Sequence, residues 1–141
     1  MTRKSNKARR SDCPINLALE SFGDRWSLLV IRDLMFKGCT TFKELLGGGE
    51  GIATNVLTDR LEHLERNGIL DRRPHPSDAR RVEYRLTKKG IDLAPMLTEM
   101  ILWTARHEVS AAPPETIHEM TEHRKRFLAS VRKRWEANQS S

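Results

Sequence analysis

This 141-residue chain is poor in aromatics and cysteine, with one tyrosine, four phenylalanines, three tryptophans and two cysteines. No apolar run approaches the roughly 20 residues of a membrane-spanning helix, and Met1 to Arg10 holds no apolar stretch of the signal-peptide kind. A cytoplasmic chain without membrane attachment is expected. Cys13 and Cys39 are too few for a secreted disulfide scaffold and lack metal-ligand spacing, so reduced thiols are expected. The few phenylalanines and the single tyrosine fall mostly on apolar stripes. That leaves no evident stacking platform for single-stranded RNA, and RNA binding ranks behind the other readings below.

Catalytic signatures are missing as well. His63, His75, His107, His118 and His123 are scattered, and no serine or cysteine has an evident base partner, so an enzyme is not expected. The run His118-Glu-Met-Thr-Glu-His123 looks like a zinc-protease signature but spaces its histidines by five residues rather than four. On one continuous helix that places them about 140° apart, too far to share a metal on one face. Gly47 to Gly51 lacks the following Lys-Ser/Thr of a phosphate loop. Neither a cofactor nor a metal is expected.

What the chain does have is charge. Lys and Arg number 25 against 19 Asp and Glu, for a net charge of +6, while a hydrophobic share of 38% suffices for one core. A basic surface suits nucleic acid, an anionic membrane or solubility alone, so the location of the charge decides.

Along the chain, Cys13-Pro14 sets the cap and first turn of a helix reaching about Phe22, ended by Gly23. From Asp24 a second helix is expected, with Trp26, Leu29, Val30 and Leu34 on one face and Leu28, Ile31 and Met35 beside them, apolar enough to be the centre of the core. Thr41-Phe-Lys-Glu44 matches a capping box and opens a short helix to about Leu46. After the Gly47 to Gly51 turn, Ile52 to Asn67 repeats Leu57, Leu61 and Leu64 along one side before Gly68. Residues 69–73 and 82–86 read as two strands of a hairpin around a polar loop over 74–81. Thr87 is expected to cap a long helix with a stripe of Leu93, Met96, Leu97, Met100 and Trp103, kinked by Pro95. Pro113-Pro114 breaks the chain, and Glu115 to about Ala137 reads as one last helix with Ile117, Met120, Phe127, Val131 and Trp135 in rough register and Arg124 interrupting them.

This order is a helix-turn-helix followed by a wing, in a mainly α fold with a small β-hairpin (α+β). In such a motif the second helix of the pair enters the major groove. At 100° per residue, Asn55, Thr58, Asp59 and Glu62 fall opposite the leucines, so burial and base reading do not compete. Thr54, Asn55, Thr58, Asp59 and Arg60, with Lys43 on the preceding helix, are the candidate DNA contacts there. Asn55 suits bidentate pairing with adenine, Thr58 a thymine methyl or a purine, and Asp59 the exclusion of bases or the orientation of Arg60. The same residue types are also common helix caps. Five arginines lie between Arg72 and Arg85, and Arg80 and Arg81 would meet the minor groove or flanking phosphates, with Asp78 bracing Arg80. A charged hairpin is equally a soluble edge guarded against aggregation.

The ordered set of Cys13-Pro14, Gly23-Asp-Arg-Trp-Ser-Leu-Leu-Val-Ile31, Phe42-Lys-Glu-Leu45, Gly51-Ile-Ala-Thr-Asn-Val-Leu-Thr-Asp-Arg-Leu61 and Arg81-Val-Glu-Tyr-Arg-Leu-Thr-Lys-Lys-Gly90 resembles the HxlR family of winged helix-turn-helix regulators, relatives of the MarR type. The resemblance implies a winged domain over 13–107; the basic, aperiodic start reads as an arm over 1–12, and a helical extension over 108–141 lies beyond the family core. The resemblance also implies a homodimer through the N- and C-terminal helices, bound to double-stranded DNA at a two-fold symmetric operator. Some HxlR-type proteins carry a cysteine at the position of Cys13 and sense oxidants or electrophiles with it, which makes Cys13 the redox-sensing candidate and an oxidant or small molecule the candidate effector. Two departures are Ala53, where a serine or threonine cap is frequent, and the glycine-rich Gly47 to Gly51 turn. The alternative reading is a winged-helix protein-interaction module without specific DNA readout.

Overall fold

The computed structural model describes residues 9–139. Most of the arm expected over 1–12 lies outside them. Chain contacts divide the molecule after Thr87 into two units.

In the first unit, α1 (Pro14–Phe22) starts with proline in its first turn and Cys13 at its cap, where the missing proline N–H leaves nothing unpaired. The core helix α2 (Ser27–Met35) begins three residues later than Asp24, because the Asp24 carboxylate accepts the backbone N–H groups of Trp26 and Ser27, both at 2.8 Å. Val30, Ile31 and Met35 are buried. The capping box is present at the start of α3 (Phe42–Leu46): the Glu44 amide donates to Thr41 Oγ1 at 3.2 Å and the Thr41 amide to Glu44 Oε1 at 3.1 Å. Then comes α4 (Thr54–Arg66), whose Leu57, Leu61 and Leu64 are buried. It packs on α1, α2 and α3. His63 Nε2 lies 2.9 Å from the Ser21 carbonyl and ties α4 to the end of α1.

The hairpin is longer than its sequence suggests. β1 (Leu70–His75) and β2 (Asp78–Leu86) pair antiparallel from Leu70 opposite Leu86 to a bulge at Pro74 and His75. The expected loop over 74–81 is therefore mostly strand, and only Pro76 and Ser77 turn the chain. The Tyr84 amide donates to the Thr40 carbonyl at 2.7 Å, which anchors β2 to the segment before α3.

The second unit replaces the single kinked helix with two. α5 (Lys88–Ile91) is one turn, and α6 (Ala94–His107) starts afresh. Pro95 sits in the first turn of α6, where it starts a helix instead of bending one. The expected last helix is also two: α7 (Pro114–Glu122) and α8 (Arg124–Gln139), parted at His123 with φ −130° and ψ 44°. The interruption at Arg124 is thus a new helix start. Both pack on α6, with Leu97, Leu102, Met120 and Val131 buried. Arg124 pairs with Glu99, and Arg132 with Asp92 at 2.8 Å. The break also corrects the expectation that His118 and His123 face apart, because their rings are in contact.

Candidate nucleic-acid interface

The outward side of α4 carries the expected short polar residues. Thr54, Asn55, Thr58 and Asp59 are exposed while the leucines behind them are not. Two of them have partners on the same helix: the Thr58 hydroxyl donates to the Thr54 carbonyl at 3.0 Å, and Asp59 accepts from Arg60. Ala53 occupies the N-cap with extended backbone and offers no side-chain acceptor to the first amides of α4.

Arg60, expected as a DNA contact, is also engaged within the fold. Its guanidinium reaches Asp24 at 2.9 Å as well as Asp59, and its side chain is only 22% exposed. It braces α4 against the entrance to α2, a role set by a residue 36 positions away. Burial pushes the Asp24 carboxyl up, but the hydroxyl and amide of Ser27, the amide of Trp26 and Arg60 together hold it at about 2. A depressed folded value means that the stabilisation is complete above the unfolded value of about 4 and is lost as pH falls towards 2. Asp24→Asn is expected to cost on the order of 2 kcal/mol at neutral pH. In urea titrations the difference from the parent should shrink steadily between pH 5 and pH 2; a gap independent of pH over that range would refute this account.

Lys43 is exposed on α3, and Arg80 and Arg81 are exposed on β2 rather than in a loop. Asp78 Oδ1 accepts the Arg80 amide at 3.0 Å and lies 3.4 Å from its guanidinium. Arg25 escapes a reading of the sequence because it lies in a segment that reads as core. It is exposed, stacks its guanidinium 5.6 Å from the Trp26 ring centroid, and is the neighbour of the Asp24 that holds Arg60. A cation inside an otherwise apolar stretch is the signal that could have found it.

The turn before α4 is held by charge. Asp33 is buried on α2, bound by Arg32 at 2.8 Å, and Arg32 also reaches Glu50 at 3.0 Å. Lys37 Nζ donates to the Gly48 carbonyl at 3.2 Å. Gly49 and Gly51 take φ values of 98° and 74°, a left-handed region open to glycine at little cost. Glycine enrichment here is therefore a matter of backbone geometry and close packing.

Of the two thiols, Cys13 is exposed at the start of α1. Cys39 is partly covered, and burial followed by the negative charges of Asp33 and Glu44 pushes its thiol up, which disfavours the reactive thiolate. Among the described residues no group of three or more His, Cys, Asp and Glu is arranged to hold a metal ion, and no helix is long and apolar enough to cross a membrane.

Residues 21–112 match the family model described as HxlR-like helix-turn-helix. The HTH-type transcriptional regulator sll1512 of Synechocystis is 41% identical over 88 residues, which cover 62% of this chain and 64% of sll1512, less than two thirds of its length. The HTH-type transcriptional regulator YodB of Bacillus subtilis is 37% identical over 92 residues, covering 64% of this chain and 81% of YodB. The reduced form of YodB superposes with a TM-score of 0.58 at 34% identity, over 69% of this chain and 95% of that one. The redox regulator HypR in its oxidised form gives 0.59 at 29% identity, over 70% and 100%. With a helix-turn-helix, a hairpin wing and a match over most of its length, this chain belongs to the HxlR-like helix-turn-helix family of transcriptional regulators and has their winged-helix fold.

Proposed function

We propose that the protein is a cytoplasmic transcription regulator that binds double-stranded DNA as a homodimer at a two-fold symmetric operator. The observation that carries this reading is the outward face of α4, where Thr54, Asn55 and Thr58 are exposed opposite buried leucines. Asn55 and Thr58 read base edges in the major groove, while Arg80 and Arg81 on the wing, Lys43 and Arg25 meet phosphates or the minor groove. Dimerisation through the N- and C-terminal helices is supported by exposed apolar side chains on each: Ile15 and Leu19 on α1, and Met100 and Trp103 on α6.

A thiol switch at Cys13 is a second layer of the same reading. Its support is the exposed sulfur at a helix start, together with likeness to YodB, whose structures include a quinone-bound form, and to the redox regulator HypR. An oxidant or electrophile is the effector class this suggests.

The test is a fluorescence-anisotropy titration against the gene's own upstream DNA with random-sequence competitor, at two salt concentrations, before and after a mild thiol oxidant. Binding by two chains that survives competitor is the expected result. Arg81→Ala should weaken operator and competitor DNA alike and lower the salt slope by about 0.9, the share of a single neutralised phosphate. An oxidation response present in the parent and absent in Cys13→Ser would place the switch at Cys13. Loss of all binding to competitor, or a salt-insensitive protein partner, would favour an interaction module.

A further inference from the structure

We propose that His118 and His123 form an exchangeable site for a borderline divalent transition-metal ion of the zinc, nickel or copper type. The helix break at His123 creates it. Because α7 ends at Glu122 and α8 begins at Arg124, the two imidazoles meet edge to face, with ring centroids 5.7 Å apart and planes inclined at 76°. Both side chains are exposed. Metal–nitrogen bonds of about 2.0–2.1 Å, at an angle between tetrahedral and trigonal, put two imidazole centroids roughly 5–6 Å apart. The two rings therefore stand close to the separation a shared ion requires.

Glu119 lies between the two histidines in sequence and is paired with Arg126 at 2.6 Å. Neutral imidazole is a good ligand for zinc, copper and nickel, whereas calcium and magnesium require oxygen. No third ligand completes the set among the described residues. Water or a second molecule fills the remaining positions, which makes the ion exchangeable, unlike a closed structural zinc. An ion held by both rings joins the end of α7 to the start of α8. The family match ends at residue 112, so this site belongs to the extension beyond it.

The test uses the full-length protein. Substoichiometric Cu²⁺, which broadens the signals of nearby nuclei, is expected to erase the ring resonances of His118 and His123 together, before those of His63, His75 and His107. With Ni²⁺ in calorimetry, His118→Ala and His123→Ala should each weaken binding by more than the roughly 10- to 100-fold typical of removing an outer-shell partner, while His107→Ala binds as the parent does. Broadening of one ring without the other, earlier broadening at another histidine or at the thiols, or Ni²⁺ affinity unchanged in either single variant would overturn the proposal.

Discussion

Asn55→Ala is expected to abolish much of the preference for operator over random DNA while leaving random-sequence affinity unchanged. A bidentate side-chain contact to a base edge is worth about 1–3 kcal/mol, roughly a 5- to 150-fold loss at the operator. Asn55 is exposed on α4 and makes no contact that the fold depends on, so the melting temperature should stay within a degree or two of the parent, as for most surface substitutions. Thr58→Ala should add a second, smaller loss, since its hydroxyl is shared with the Thr54 carbonyl. The measurement is competition anisotropy with operators changed one base pair at a time. Reduced affinity for every sequence in equal proportion would move Asn55 to the phosphate class and displace α4 as the reading helix.

Gly48→Ala is expected to destabilise the first unit through a clash with a buried, ion-paired carboxylate. A Cβ at this position would stand 2.3 Å from Asp33 Oδ2 and 3.2 Å from the Leu45 carbonyl. The carboxylate cannot step aside freely, because it is buried and bound by Arg32, with Lys37 3.7 Å away. Overpacking of this kind costs about 1–3 kcal/mol, read as a lower urea midpoint. The effect should be smaller in an Asp33→Ala background, since the pair is in contact and its effects are coupled. Equal costs in both backgrounds would mean that the turn, not the carboxylate, resists the methyl group.

The sequence is legible where a few adjacent residues decide the outcome. Thr41 and Glu44 form their capping box within one turn, Pro14 and Gly23 bound α1, and the leucines of α4 repeat at helical spacing. The hairpin reads short because the first half of β2 is largely exposed on both faces and shows no apolar alternation, whereas Glu83 to Leu86 are all buried, Glu83 and Arg85 as an ion pair. Alternation reports burial, not hydrogen bonding. The breaks at Leu93 and His123 are hidden for a related reason: apolar periodicity continues in rough register across a short interruption. Nothing near Arg60 in the chain announces its pairing with Asp24, and the exposed side of α4 is legible only as a set of positions. Which of them stay free depends on partners brought together by folding.

The bare start of α4 has a thermodynamic consequence for a DNA-bound regulator. A side-chain N-cap is worth about 1 kcal/mol to a helix, and with Ala53 at that position the free protein does without it. A phosphate oxygen accepting the amides of the first turn would supply the missing acceptor. In that case binding finishes the folding of the helix that does the reading: amide exchange at Thr54, Asn55 and Val56 would be fast in the free protein and slow in the complex. Part of the helix's order then resides in the operator, and a correct site is one that completes the protein as well as contacting it.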